Sequence, residues 1–101
     1  MLKQSGAREV VLKLGELGAL VCGADGRFDH IVATKVDVID TTAAGDAFTA
    51  GLAVALSEGR LLAEATQFGC AAGSLACMVF GAQRAMPSRA AVDEFLRRNL
   101  L

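Results

Sequence analysis

Residues 40–48, which read DTTAAGDAF, form the part of the sequence best suited to chemistry. Two carboxylates flank a run of small and hydroxyl-bearing residues, and a long apolar segment of helix-forming residues follows directly. This pattern predicts a turn that opens a helix, where the first backbone N–H groups lack helical partners and lie at the positive end of the helix dipole. Small side chains at Ala43, Ala44 and Gly45 would let a phosphate group approach those amides closely.

Asp46 is the only charged residue between Asp40 and Glu58. Burying a carboxylate without a partner is costly, so an isolated one on an apolar helix requires an explanation. A catalytic explanation is that Asp46 takes the proton from a hydroxyl group that is about to be phosphorylated. The structural alternative is that Asp46 only complements the helix dipole, which is a common role for a carboxylate at a helix start.

Three further features have both a chemical and a structural interpretation. Asp40 could orient a cation, or it could only cap the turn at Thr42. Residues 15–18, which read GELG, could bring backbone N–H groups to a nucleotide, or they could form an ordinary turn. The loop at residues 81–83 could offer carbonyl oxygens to a metal ion, or it could only connect two helices.

The composition limits the class of protein. The chain has 101 residues, of which 53% are hydrophobic, and such a small apolar domain is expected to leave apolar faces uncovered. The net charge is -1 and there is no basic stripe, which argues against a nucleic-acid partner. Residues 65–83 carry no charge, but their polar and small side chains favour a buried packing helix over a membrane span.

The sequence contains three cysteines and a single histidine, His30. Without a CxxC motif or a second histidine, it offers no ligand set for structural zinc. Cys70 and Cys77 on one helix would lie about 10 Å apart at about 1.5 Å rise per residue, which is too far for a disulfide. We therefore expect reduced thiols packed in the core, a cytoplasmic protein, and a surface or packing role for His30.

The predicted elements are strands followed by three helices, an order typical of one edge of an α/β sheet with helices packed on it. Residues 1–5 resemble the tail of a helix, which predicts that the chain starts inside a larger fold. Ser88 is the predicted N-cap of the last helix, and small residues at 71–76 predict close helix packing. The predicted strands cover residues 10–14, 19–22, 28–33 and 36–39, with a hairpin turn at 23–27, and the first two helices cover 44–56 and 61–79.

On these motifs the chain resembles the ribokinase-like (PfkB-type) carbohydrate kinases. The second signature of that family reads D-T-x-G/A-A-G-D-x-F, and residues 40–48 match it. Residues 11–18 look like the family's nucleotide-contacting strand and turn, and residues 81–96 are similar to the C-terminus of its ribokinase branch. The resemblance implies the C-terminal part of a three-layer α/β/α fold. Residues 1–101 would be its nucleotide-binding and catalytic portion, without the N-terminal sugar-binding portion and lid.

The resemblance also implies roles for individual residues. Asp46 corresponds to the base that binds and deprotonates the primary hydroxyl of the sugar. Ala43, Ala44 and Gly45 correspond to an anion hole that stabilises charge on the transferring phosphoryl group. Cys70 stands where the family usually has His or Asn near the adenine. The implied nucleotide-binding positions are Lys13, Leu14, Gly15, Glu16, Leu17, Gly18 and Cys70.

A site for an activating monovalent cation is implied as well, formed mostly by backbone carbonyls. Ala85 stands where the ribokinase branch often supplies a Ser hydroxyl, so we expect weaker cation affinity. The implied cofactors are ATP, Mg²⁺ and K⁺. The implied cation-site positions are Asp40, Thr42, Ala76, Val79, Gly81 and Ala85.

The expected activity is ATP-dependent phosphorylation of a sugar's primary hydroxyl, with D-ribose favoured and the isolated chain inactive. The full-length parent is expected to be a homodimer that binds sugar and ATP, with no membrane or nucleic-acid partner. Two alternatives stay open at this point. The sugar could be 2-keto-3-deoxygluconate, fructose or a nucleoside, or the chain could be a non-catalytic fragment whose apolar faces bind a partner chain.

Overall fold

The structure, a computed structural model, describes residues 9–78 and 87–99. It begins with a three-stranded sheet in which the strands follow one another in the order β1, β2, β3. Three helices come after the sheet, so the predicted order of strands and then helices is confirmed. The elements are β1 (Val10–Lys13), β2 (Ala19–Cys22), β3 (Phe28–Ile31), α1 (Ala44–Ser57), α2 (Leu62–Cys77) and α3 (Arg89–Asn99).

The sheet is antiparallel, and its two faces have different surroundings. Successive side chains of a strand point to opposite faces. Val11, Ala19 and Ile31 share the face that packs against Phe48 of α1 and Cys70 of α2. Among the described residues, strands and helices share a core cluster only on this helix-facing side of the sheet.

The opposite face, which we call the outer face, carries Leu12, Leu20, Cys22 and Phe28. Leu12 is 53% exposed and Phe28 is 66% exposed. Burial of an apolar side chain contributes about 1.5–3 kcal/mol, and these two residues forgo most of that contribution. The expectation that this chain leaves apolar surface uncovered is therefore confirmed.

The turn between β1 and β2 depends on glycine at residue 18. Gly18 has φ +97°, and a Cβ built there would lie 1.9 Å from the carbonyl oxygen of Ile31. The amide of Leu14 donates to the Gly18 carbonyl at 2.8 Å, and a single 3₁₀ turn (Gly15–Leu17) fills the space between. The turn predicted at residues 15–18 is thus confirmed, and it brings β1 and β2 into register.

Small residues let α1 and α2 pack closely. A Cβ built at Gly69 would lie 2.9 Å from the carbonyl oxygen of Phe48, and one built at Gly73 would lie 3.2 Å from that of Ala44. A Cβ at Gly51 would lie 3.0 Å from the Cβ of Ala72. Because no side chain separates the two backbones, the start of α1 is held against the second half of α2.

Helix α3 begins as the sequence predicts and closes the helical layer. The Ser88 hydroxyl accepts a hydrogen bond from the amide of Ala91 at 3.1 Å, as expected of an N-cap. Val92 is 2% exposed in the core shared with α1 and α2. The Arg89 guanidinium pairs with Glu58 at the end of α1 and lies 5.3 Å from the ring centroid of Phe68 on α2.

The strand predicted at residues 36–39 is wrong, because no regular element occupies residues 32–43. Val38 and Ile39 are 59% and 63% exposed, so the end of this apolar run lies at the surface. The amides of Ile39 and Asp40 both donate to the carbonyl oxygen of Cys77, at 2.7 and 3.1 Å, instead of to a neighbouring strand. The third strand likewise ends at Ile31, earlier than predicted.

Some expectations concern residues outside 9–78 and 87–99. The helix tail expected at residues 1–5, the loop at 81–83 and the last residue predicted for the second helix, Val79, are among them. Across the residues that the structure describes, none of the helices combines the length and the apolar character required to cross a bilayer.

Candidate active site

The turn before α1 is organised by Asp40. Its Oδ1 accepts hydrogen bonds from the backbone amide of Thr42, at 2.9 Å, and from the Thr42 hydroxyl. The amide of Ala44 then donates to the carbonyl of Thr41 at 3.1 Å. The turn-capping role considered for Asp40 is therefore present, and it fixes the backbone that leads into the helix.

The start of α1 has no side-chain cap, since Ala43 occupies the N-cap position. The Ala43 methyl group is 3% exposed in the core, whereas Gly45 is exposed. First-turn amides without a cap leave the positive end of the helix dipole open to an anion. The small residues predicted to form an anion hole thus lie at an accessible helix start, and their role in binding phosphate stays a prediction.

Asp46 lies in the first turn of α1 and is exposed. The burial expected for Asp46 from the apolar sequence around it is therefore absent, because Ala47 and Phe48 take the buried side of this turn. Within residues 9–78 and 87–99, no hydrogen bond or ion pair engages the Asp46 carboxylate. It is free of structural partners there and open to solvent, as a base that receives a substrate hydroxyl must be.

Lys13 reaches the same helix start from the end of β1. Its Nζ lies 3.4 Å from the Thr49 hydroxyl and 5.6 Å from the ring centroid of Phe48. A Cβ built at Gly45 would lie 3.8 Å from that Nζ. The structure therefore brings a predicted nucleotide-binding residue beside the predicted anion hole, although the two are far apart in the sequence.

Sequence reasoning missed Phe48 and Thr49 as neighbours of Lys13. A signal was present in the alternation of β1, because Lys13 and Val11 are two residues apart and so share the helix-facing side of the sheet. Which helical residues would meet the Lys13 ammonium could not be read from that alternation.

The remaining predicted nucleotide-binding residues are divided between surface and core. Gly15, Glu16 and Leu17 are exposed on the turn that follows Lys13, and Leu14 is half-buried. Cys70 is 8% exposed in the cluster between the sheet and the helices. Burial raises the pKa of the Cys70 thiol to about 11. A core position for Cys70 is confirmed, and its proximity to an adenine stays a prediction.

Part of the predicted cation site comes together at the C-terminal end of α2. The Asp40 amide donates to the Cys77 carbonyl at 3.1 Å, next to Ala76. Burial and the charge of Asp40 both raise the pKa of the Cys77 thiol. A carboxylate at the negative end of a helix dipole creates a potential that suits a cation. Val79, Gly81 and Ala85 lie outside the described residues.

The described residues contain no group of three or more His, Cys, Asp or Glu side chains arranged to hold a metal ion. A cation at the end of α2 would accordingly depend on backbone carbonyl oxygens and on Asp40. Oxygen ligands of this kind suit hard cations. The three cysteines are free, as the sequence predicts, and His30 is exposed with its Nε2 2.7 Å from the Leu17 carbonyl oxygen.

Comparison with known proteins identifies the fold. The sequence profile of the pfkB family carbohydrate kinases matches residues 1–89. Aminoimidazole riboside kinase of Salmonella typhimurium is 40% identical over 105 aligned positions, covering 99% of this chain and 33% of that protein. Arabidopsis thaliana ribokinase, solved in complex with ribose and ATP, gives a TM-score of 0.87 at 36% identity. The alignment covers 94% of this chain and 31% of the ribokinase.

A double mutant of fructokinase from Vibrio cholerae O395, solved with fructose, ADP and potassium ion bound, gives a TM-score of 0.85 at 33% identity. The alignment covers 94% of this chain and 32% of the fructokinase. These similarities place the structure among the α/β proteins with the ribokinase fold, which confirms the predicted fold class. The chain belongs to the pfkB family of carbohydrate kinases, and it spans about a third of the length of the relatives it matches.

Proposed function

We propose that this chain forms the nucleotide-binding and catalytic portion of an ATP-dependent kinase that phosphorylates the primary hydroxyl of a sugar, with D-ribose as that sugar. One observation carries the proposal. The unpaired carboxylate of Asp46 and the ammonium of Lys13 are both at the uncapped start of α1. A base, a cation and free amides are the groups that phosphoryl transfer requires from a protein.

The proposed reaction assigns one task to each group. The Asp46 carboxylate accepts the proton of the sugar hydroxyl while the hydroxyl oxygen forms a bond to the γ-phosphorus of ATP. The bond between that phosphorus and the bridging oxygen breaks, and ADP leaves with the electron pair. The amides of Ala43 and Gly45 hold the charge on the transferring phosphoryl oxygens, while that of Ala44 donates to Thr41 and fixes the turn. They need no reorganisation because the turn and the helix fix them.

Ribose is favoured by the Arabidopsis thaliana ribokinase, which was solved with ribose and ATP, whereas aminoimidazole riboside, in the name of another relative, is a riboside and fits the nucleoside alternative. Fructose is the sugar bound in the third, so fructose, 2-keto-3-deoxygluconate and nucleosides form the alternative substrate set. A panel of these sugars, compared by kcat/KM in a full-length parent protein, separates them, because the sugar-contacting residues are expected in its N-terminal portion.

The proposal includes ATP as the phosphoryl donor, with Mg²⁺ as the counterion of its phosphates, and K⁺ as an activating ion. Asp40 and the carbonyl oxygens at the end of α2 are the described groups that would hold K⁺, and the Asp40 carboxylate beside the negative end of the α2 dipole supports a cation there. Bound K⁺ would neutralise this negative charge and keep the turn before α1 in place.

The test uses a chimera in which this chain replaces the matching final third of Arabidopsis thaliana ribokinase. We expect ribose-dependent ADP formation by the chimera. Changing Asp46→Asn should lower kcat by about 10²–10⁴-fold, because general base catalysis contributes about that much. The KM for ATP should stay within about threefold, since the amides and Lys13 are intact.

Asp37→Asn is the matched control, because Asp37 is another exposed carboxylate and lies in the segment before the site. It should leave kcat unchanged. Near-normal kcat in the Asp46→Asn chimera would remove the assignment of Asp46 as the base.

A second candidate function, binding of another polypeptide chain, is favoured by the outer face of the sheet. Leu12 and Phe28 expose apolar area on neighbouring parts of that face, and uncovered patches of this kind mark interaction surfaces. The two candidates are compatible, because the outer face and the start of α1 lie on opposite sides of the sheet.

A further inference from the structure

We infer that Phe48 and Thr49 are positioning residues that hold the Lys13 ammonium at the start of α1, where it binds the phosphate chain of a nucleoside triphosphate. The inference rests on the proposed function. It adds to the site two neighbouring residues of α1, the buried Phe48 and the exposed Thr49. Both hold Lys13, which lies at the end of β1.

The hydrogen bonds of Thr49 have a defined direction. The Thr49 hydroxyl donates to the carbonyl oxygen of Gly45 at 3.1 Å, so its proton is already used. Its lone pairs are left to accept from Lys13 Nζ at 3.4 Å, and an ammonium group can only donate. The two hydrogen bonds therefore connect Lys13 through Thr49 to Gly45, within the first turn of α1.

Phe48 supplies a rigid support for the same ammonium group. Its ring is 8% exposed and packs with Ala19 and Cys70 in the core between sheet and helices. Lys13 Nζ lies 5.6 Å from the ring centroid, within the range of a cation–π contact. Because the ring cannot turn away, it limits the positions that the flexible stem of Lys13 can adopt.

The electrostatics of this arrangement call for an anion. An ammonium group near the positive end of a helix dipole is unfavourable, since that end favours acids. In the part of the chain that the structure describes, no carboxylate lies within ion-pair distance of Lys13. The negative charge of a bound phosphate chain would compensate the positive charges of the Lys13 ammonium and of the helix N-terminus. Hydrogen bonds from the ammonium to phosphate oxygens would be strong, because both partners are charged.

The experiment titrates ATP and, separately, adenosine into the full 101-residue chain, with binding followed by amide chemical shifts. Thr49→Val should weaken ATP binding about fivefold, the usual effect of one lost hydrogen bond. Binding of adenosine should change less than twofold, because adenosine has no phosphate. Thr49→Ser keeps the hydroxyl and should restore ATP binding to within twofold of the unaltered chain.

Thr66→Val is the matched control. The Thr66 hydroxyl also donates to the carbonyl four residues earlier, that of Leu62, at 2.8 Å, but it lies on α2. Its removal should leave the ratio of ATP to adenosine affinity unchanged. Lys13→Met should lower that ratio at least as much as Thr49→Val does, and the double variant should be no weaker than Lys13→Met alone.

The two proposals fail in different ways. If Thr49→Val binds ATP as tightly as the unaltered chain, or loses ATP and adenosine equally, the positioning role is refuted and the proposed function stands. If the unaltered chain binds ATP no more tightly than adenosine, the anion site itself is refuted, and the inference falls together with the proposed function.

Discussion

The two charged residues at the start of α1 differ in how well they suit a helix N-terminus. The Asp46 carboxylate complements the dipole and needs no ligand to be stable there, so its position alone does not separate catalysis from a structural role. The Lys13 ammonium opposes the dipole, and it is therefore the residue whose position is better explained by a bound anion. Lys13 therefore supports a phosphate site at the start of α1 more strongly than Asp46 does.

Cys70 supports a prediction about thiol reactivity. Burial raises the pKa of its thiol to about 11, and the thiolate is the reactive species. At pH 8 only about one thiol in a thousand would be ionised by that value. We expect alkylation of Cys70 by iodoacetamide to be slow at pH 8 in the native chain and to accelerate as the pH rises towards 11.

Mass spectrometry of the Cys70 peptide measures this rate. In urea the pKa returns to its ordinary value of 9.0, so the ionised fraction, and with it the rate at pH 8, should rise about 100-fold. Fast alkylation of Cys70 in the native chain at pH 8 would show that the thiol is open to solvent.

The turn between β1 and β2 allows a prediction at the scale of an element. Gly18→Ala places a Cβ 1.9 Å from the Ile31 carbonyl oxygen at φ +97°. Either the turn or β3 must shift, and we expect a loss of about 2–4 kcal/mol in the free energy of unfolding, measured by urea denaturation.

Gly15→Ala is the matched control, since Gly15 also has positive φ, +62°, but a Cβ there would meet nothing within 4 Å. Its cost should be only about 1 kcal/mol. Equal losses in the two variants would mean that backbone conformation, and not the close approach to β3, makes Gly18 necessary.

The elements that were predicted correctly are those determined by residues close together in the sequence. The hairpin at residues 23–27 and the starts of α1 and α3 depend on turn and capping residues within a few positions, so they could be read directly. The strand predicted at residues 36–39 failed because an apolar run indicates a strand only when a neighbour pairs with it, and the amide of Ile39 pairs with α2. The contact between Lys13 and Thr49 joins two elements across 36 residues, and no local pattern specifies it.

At the scale of the molecule, the sheet is covered on one side only within the described residues. The outer face should therefore bind a hydrophobic dye, and a chain with this face exposed should elute in size-exclusion chromatography as more than a monomer. We expect Leu12→Ser combined with Phe28→Ser to lower the dye fluorescence by at least half and to shift elution towards the monomer.

Leu61→Ser provides the comparison. Leu61 is 72% exposed, more than Leu12 or Phe28, but it lies just before α2 and away from the outer face. It should leave dye fluorescence and elution unchanged. If the unaltered chain is a monomer and does not bind the dye, the outer face does not bind a partner chain.

The Cys77 carbonyl oxygen joins two distant parts of the chain without any side chain. Because it receives the amides of Ile39 and Asp40, the segment that leads into the turn before α1 is anchored to the C-terminal end of α2 by main-chain atoms. We therefore expect a substitution of Ile39 to keep this anchor unless the new residue is proline, which would remove a donor.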